Sequence, residues 1–410
     1  MPAKGPAEKR TVAAPRVKTY RVGGSVRDEL LGRPLADRDY VVVGATPDEL
    51  LARGFRPVGR DFPVFLHPDT GEEYALARTE RKTDRGHRGF RFHASPSVTL
   101  EEDLARRDLT INAMARAEDG TLIDPFGGAN DLRAGVLRHV GPAFAEDPLR
   151  VLRVARFAAR LGFEVAPETE AMMRAMAVGG ELATLTAERV WQEFARALME
   201  STPSRFFAVL RRCGALSRLL PEVDALFGVS GERSIDAGVH SMRALDYAAE
   251  RGEPLAVRYA VLALNLARPL HGRTPGAHGL RRAAMLSRRL KAPADCRELA
   301  RLAARYGSTV DRATDLAPAA LLDLLLTADA LRRPERLEQL VRACAADSLS
   351  RRERTQPLDY PPAARLAAAL AVVRGVDAGA VASAQPRARD IPPRVRAARL
   401  KALRLWMKTL

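Results

Sequence analysis

The chain divides at about residue 143, and this split constrains the fold more than any other feature. Before it, short β-like runs alternate with short helical ones. After it, Leu, Ala and Arg recur at helical spacing to the C-terminus, strand signals vanish, and Pro148, Pro167, Pro203, Pro221 and Pro254 punctuate successive helices. The expected fold class is α+β: a compact mixed head followed by an all-α remainder. In the head, Thr19–Val22 and Asp39–Val43 read as strands and Val26–Leu31 as a short helix. Thr46-Pro47-Asp48-Glu49 reads as a helix start, and Val64–His67 and Glu73–Ala77 as strands joined by a Pro-Asp-Thr-Gly turn. Thr83–Gly89, polar and glycine-containing, reads as a mobile loop, and Ser348–Pro362 and Gly375–Pro393 as connecting segments.

Composition narrows the classes of function. The net charge is +16 over 410 residues, with ordinary globular hydrophobicity of 47%. That excess of base points first to a nucleic-acid partner and second to an anionic surface. Aromatic residues make up only 5%, which disfavours base stacking on an aromatic platform. No apolar run is long enough to span a membrane, and Met1–Lys18 has no apolar core of the secretory kind; it reads as a disordered basic arm in a cytoplasmic protein. Cys213, Cys296 and Cys344 are too far apart for a zinc site or a disulfide framework, and read as buried thiols.

The usual phosphate-binding signatures, GxxxxGK[ST] and GxGxxG, are missing, so a nucleotide must be gripped otherwise. Gly23-Gly24-Ser25-Val26-Arg27-Asp28 follows the first strand. Its glycines allow close backbone approach, the helix after Gly24 presents free N–H groups to an anion, and Arg27 adds a charge for phosphate. Asp37 and Asp39 bracket Arg38 at the entrance of the second strand. Residues two apart share a strand face, and two adjacent carboxylates invite a cation; Mg²⁺ takes one or two carboxylates and fills its shell with water and phosphate. Such a pair suits two-metal nucleotidyl transfer, with Glu73 on a neighbouring strand as a possible third carboxylate. In Arg106-Arg107-Asp108-Leu109-Thr110-Ile111-Asn112, Arg107 can pair with a triphosphate and Asp108 can accept from a ribose hydroxyl; Asp108 also suits a helix cap.

Asp147, Arg150, Arg153 and Arg156 recur every three residues and form a drifting polar stripe opposite Leu149, Leu152, Val154 and Phe157. Ion pairs on a solvated face are one reading. The chemistry offers a sharper one. Cytosine and adenine both present an amino donor beside a ring-nitrogen acceptor, whereas guanine and uracil present the reverse. A carboxylate and a guanidinium, Asp147 and Arg150, can satisfy C or A and mismatch G and U.

Taken in order, GGSVRD, DRD, RRDLTINAM, IDPFGG–DL, EDPLRVLRVARF and ERVWQE resemble the bacterial-type (class II) CCA-adding enzymes of the tRNA nucleotidyltransferase and poly(A) polymerase family. The resemblance is strong over residues 19 to 230 and fainter beyond. It implies a polymerase-β-like head, then helical neck, body and tail, with CTP, ATP and tRNA as substrates and Mg²⁺ as cofactor; no protein partner is implied. Asp37 and Asp39 would hold metal, Gly24 and Arg27 would contact the incoming nucleotide, Arg107 the triphosphate and Asp108 the ribose region. Asp147 and Arg150 would read the base, with Arg153 and Arg156 supporting the pocket and phosphates. The divisions expected are an arm (1–18), head (19–142), neck with base recognition (143–225), body (226–345) and a basic tRNA-binding tail (346–410). Alternatives within the family are a poly(A) polymerase or a partial enzyme adding only CC or only A.

One departure stands out. Some relatives carry a C-terminal HD phosphohydrolase domain whose metal site needs a His-Asp pair after an apolar helix. Here Tyr259–Ala267 resembles that helix, but Leu264-Asn265 stand where His-Asp would be; His240 is kept, with His271 and His278 near by in sequence. Phosphohydrolase activity is therefore expected to be absent. Finally, residues 381–410 hold eight Arg or Lys against Asp390 alone. Leu400, Leu403 and Trp406 supply an apolar side, so one face is expected to pack and the other to meet a phosphate backbone.

Overall fold

A computed structural model describes residues 17–35, 38–58, 64–82, 90–229, 235–268, 277–351, 359–385 and 387–409. Asp37, Thr83–Gly89, His271 and the first sixteen residues of the expected arm lie outside them. The chain forms two compact units. Met1–Arg150 with Phe163–Leu185 is one, and Val151–Gly162 with Thr186–Leu410 is the other.

The first unit is built on a mixed seven-stranded sheet. Its early elements are β1 (Lys18–Val22), α1 (Gly24–Leu30), β2 (Asp39–Val43), α2 (Pro47–Ala52), β3 (Arg56–Val58), β4 (Val64–Leu66) and β5 (Glu73–Leu76). There follow β6 (Arg78–Lys82), β7 (Phe90–Ala94), α3 (Leu100–Ala105), β8 (Ala115–Ala117), β9 (Leu122–Ile123), α4 (Gly128–Ala134) and β10 (Val136–Leu137). The sheet runs β3-β4-β5-β2-β1-β8-β9, while β6 and β7 pair separately. β2 shows why DYVVV makes a central strand. Strand side chains alternate faces, and Val41 enters one core with Val22, Leu104 and Ala115 while Val42 enters another with Leu50, Phe65 and Leu76. Thr46 caps α2 in a capping box with Glu49, and Thr99 does the same for α3 with Glu102. Such a cap contributes about 1 kcal/mol.

Helix α5 (Leu149–Leu161) ends at Gly162, and β11 (Glu164–Val165) follows, pairing in parallel with β10. Strands thus persist past residue 143; two residues are too few to show an alternation. α6 (Pro167–Val178) completes this unit, its first position taken by Pro167.

The second unit is helical. It contains the remainder of α5, then α7 (Ala187–Met199), α8 (Ser204–Arg212), α9 (Ala215–Leu219), α10 (Pro221–Asp224), α11 (Ala237–Glu250) and α12 (Leu255–Ala267). α13 (Ala277–Arg289), α14 (Ala294–Asp311), α15 (Pro318–Thr327), α16 (Pro334–Leu349), α17 (Pro361–Arg374), α18 (Ala378–Ser383) and α19 (Ile391–Met407) follow. α12 is apolar on every side, and a helix of that kind belongs in a core. Every residue from Val257 to Ala267 is buried, and α11, α13, α14 and α16 surround it. Phe194, Phe206, Phe207 and Tyr259 pack edge to face beside it. The expected connection Gly375–Pro393 contains α18, whose start is capped by Asp377 accepting from the Ala380 N–H. Leu403 of α19 is buried and Arg365 stacks on Trp406, so the apolar side of α19 packs, while Arg394, Lys401, Arg404 and Lys408 are exposed. Among the described residues no helix is long and apolar enough to cross a membrane.

Candidate active site

The head's polar residues collect at one edge of the sheet. Across four adjacent strands, Ala115, Val22, Asp39 and Glu73 stand in register. Asp39 and Glu73 are exposed carboxylates at the starts of parallel neighbours, which is a hard-oxygen donor set suited to a small divalent cation. β1 ends beside them and the chain turns at Gly23-Gly24 into α1.

The turn depends on Gly23. Its φ is +69°, and a Cβ there would lie 2.7 Å from Arg107 Nη1. At Gly24 a Cβ would meet only ordinary contacts, so the close approach is at Gly23. Arg107 is held from two sides: Nη2 donates to Asp103 Oδ2 at 3.2 Å and Nη1 to the Asn112 carbonyl at 3.3 Å. Asp103 is fully buried and also binds Arg106 at 2.7 Å. Burial alone would raise its pKa; the Arg106 and Arg107 guanidiniums outweigh that and hold the carboxyl below its ordinary value. Gly23→Ala should cost about 1–2 kcal/mol of stability through its left-handed backbone and, by forcing Arg107 off this position, about tenfold in kcat/KM for the nucleotide, mostly through KM. Steady-state kinetics against nucleotide concentration checks this; unchanged kinetics would refute it.

A second chain of contacts links the turn to the RRDLTINAM motif. Arg27 is buried; its Nη1 donates to Asn112 Oδ1 at 2.5 Å, and Asn112 Nδ2 donates to Asp108 Oδ1 at 2.9 Å. Asp108 does not cap a helix. It accepts the Leu109 N–H and the Asn112 amide, and the short turn Thr110–Asn112 has no side-chain cap. The IDPFGG–DL motif braces this turn. Asp124 accepts from the Gly128 and Ala129 N–H groups at 2.7 and 2.9 Å, and Asp131 accepts from the Thr110 hydroxyl at 2.7 Å. Gly128 permits the contact, since a Cβ there would lie 2.2 Å from the Thr110 carbonyl oxygen.

At the start of α5, Asp147 takes the capping role, its Oδ1 accepting the Leu149 N–H at 3.1 Å. Arg150 gathers three backbone carbonyls, those of Arg106, Arg107 and Ala143, at 2.5, 3.5 and 3.0 Å. It thereby ties the helix start to the backbone that carries Asp108. In the second unit, Arg156 is buried and donates to Glu193 Oε2 at 2.6 Å, with Arg153 at 3.9 Å from the same carboxylate. Asp103, Asn112, Gly23, Gly128 and Glu193 thus support the residues that the motifs single out.

Around α12 a separate polar cluster is buried. Asp347 is fully enclosed and each carboxylate oxygen serves two donors. Oδ1 accepts from His240 Nε2 and Asn265 Nδ2, both at 2.8 Å; Oδ2 accepts from Arg268 and from Arg351 at 2.8 Å. Leu264 fills the space above Gly307, where a Cβ would lie 2.8 Å from it. His278 is exposed.

Comparison with known proteins bears on the family and the fold. Residues 19–138 match the poly A polymerase head domain, and residues 162–227 match a probable RNA and SrmB-binding site of polymerase A. Those models cover the head and part of the helices. The whole-length comparison is decisive: the Multifunctional CCA protein of Chromobacterium violaceum is 57% identical over 93% of this chain and 97% of its own length. The chain belongs to the bacterial CCA-adding enzyme family. A second member, from Azoarcus sp., is 56% identical over 95% of this chain and 97% of its own. The fold of this CCA-family chain is also that of the Bacillus stearothermophilus CCA-adding enzyme crystallised with CTP, with a TM-score of 0.67, 24% identity, and coverage of 95% and 89% of the two chains.

Proposed function

We infer that this protein adds C, C and A to the 3′ ends of tRNA without a template, using CTP and ATP and releasing pyrophosphate. Near-full-length similarity to CCA proteins carries the reading, and the Asp39–Glu73 row beside the Gly23 turn supports it. An enzyme consuming tRNA, CTP and ATP works in the cytoplasm. Family membership implies a divalent metal; we take it to be Mg²⁺, held by Asp37 and Asp39, with Glu73 adjacent. When bound, it supplies positive charge to the triphosphate and acidity to the attacking 3′-hydroxyl.

The chain's own residues supply the rest of the site. Gly24 and Arg27 contact the incoming nucleotide, Arg107 offers its charge to the triphosphate, and Asp108 lies toward the ribose. Asp147 and Arg150 exchange part of their backbone hydrogen bonds for the edge of C or A. Arg153 and Arg156 support that helix through Glu193. A base of the wrong pattern leaves those groups unpaired, so GTP and UTP should enter at least about a thousandfold more slowly than CTP and ATP. Pure protein and tRNA lacking CCA, given each nucleotide alone and then CTP with ATP, test this. Comparable GTP or UTP incorporation refutes base reading, and long A tails on generic RNA would indicate a poly(A) polymerase.

The body is proposed to have no HD phosphohydrolase activity. Leu264 cannot ligate a metal, Asn265 is neutral, and Asp347 has its lone pairs committed to four donors. Pure protein should not hydrolyse 2′,3′-cyclic AMP with Ni²⁺ or Mg²⁺; measurable turnover that tracks the protein through purification would overturn this.

A further inference from the structure

Helices α13 and α14 enclose a groove of about 670 Å³ that no step above uses. Its floor is apolar, with Ala283 and Ala300 at its centre. Its rim carries Arg288, Lys291, Arg297, Arg301 and Arg305, and no acidic side chain lines it. The spacing has a helical cause. Arg297, Arg301 and Arg305 are four apart, so they form one stripe along α14, with successive guanidiniums about 6 Å apart along the axis. Arg288 faces them from α13.

Like charges four apart on a helix repel and weaken it. Three of these arginines, Arg288, Arg297 and Arg301, are exposed and make no ion pair among the described residues. Lys291 does pair, with Glu188 at 2.6 Å, and Arg305 lies over Tyr306. Lys291 also adopts φ +48°, a left-handed conformation that glycine takes more readily. Arg288, Arg297 and Arg301 thus have no counter-charge among the described residues, and a linear polyanion with charges spaced a few ångströms apart would provide it.

We propose that the α13–α14 groove is a docking surface for the sugar–phosphate backbone of the RNA substrate, separate from the head and from the basic face of α19. The apolar floor accommodates sugar faces, and the arginine stripe follows successive phosphates. Recognition of this kind is by shape and charge, with no base reading. The proposal rests on tRNA being the substrate.

The test uses the full chain with R288Q, R297Q and R301Q combined. Affinity for tRNA lacking CCA is measured across a salt series, alongside kcat and KM for CTP. Losing three phosphate contacts should weaken tRNA binding at least about tenfold and reduce the slope of log K against log salt by about 2–3. KM for CTP, and kcat at saturating tRNA, should not change. The combined lysine variant R288K, R297K and R301K keeps the charges and should retain most of the slope. An active glutamine variant with unchanged tRNA affinity and salt slope overturns this proposal alone. A wild-type protein that adds neither C nor A to tRNA overturns the parent reading as well.

Discussion

Asp39→Ala should lower kcat for nucleotide addition by about a thousandfold, since a metal-holding carboxylate contributes several kcal/mol to the transition state. The same variant should fold normally. Asp39 is exposed at the first position of β2, and exposed substitutions of this kind stay within about 0.5 kcal/mol. Its affinity for tRNA should also stay within about twofold, because the phosphate contacts that dominate such affinity lie elsewhere. Single-turnover incorporation of labelled CTP, with tRNA binding measured in parallel, checks both parts. Activity within tenfold of wild type would mean that Asp39 is not at the reacting centre. Loss of tRNA binding together with activity would place it in an RNA interface instead.

Glu193→Ala should strongly destabilise the helical unit. Glu193 is 3% exposed and is approached by three guanidiniums: Arg156 at 2.6 Å, Arg196 at 3.7 Å and Arg153 at 3.9 Å. Arg156 is itself buried and would keep only the longer contact of its Nη1 with Glu200, at 3.7 Å. Removing one partner of a buried pair strands the other charge, at a cost of about 3–5 kcal/mol. For a unit of this size that lowers Tm by roughly 10 °C. Thermal unfolding followed by circular dichroism reads the shift. A double variant, E193L with R156M, removes both charges and should recover most of the loss. If the single and double variants melt alike, the ion pair is not the cause.

The sequence was most legible where local chemistry decides structure. DYVVV is a short, β-branched apolar run, and β2 lies on it with both faces packed. Thr46-Pro47-Asp48-Glu49 has a cap, a proline and an acidic first turn, and α2 begins there with a complete capping box. β6 and β7 were missed: RTERK has no apolar residue to mark a strand, and the alternation of FRFHA is legible only beside a partner strand. The motif residues were legible as a set, but their supports were not. Asn112 meets Arg27 across 85 positions of sequence, and Asp103 owes its place to the two arginines that follow it. Nothing local distinguishes either from an ordinary polar residue. Asp108 also suited a helix cap, but the short turn after it has no side-chain cap, and Asp108 accepts from the Asn112 amide instead. Both glycines of the turn were read as allowing close approach; the positive φ and the tight contact with Arg107 belong to Gly23.

The saturated carboxylate of Asp347 bears on how the body could change. Writing His and Asp at positions 264 and 265 would not create a cation site. Arg268 and Arg351 would remain on the oxygen a metal needs, and a divalent ion beside two guanidiniums is repelled. Removing either arginine first leaves a buried carboxylate with fewer donors, which weakens the core around α12. Four side chains would have to change together. The fitness landscape around this cluster therefore has a valley on its metal-binding side, and it is the interior of the body that is held to an architectural role, while its surface stays open to other uses.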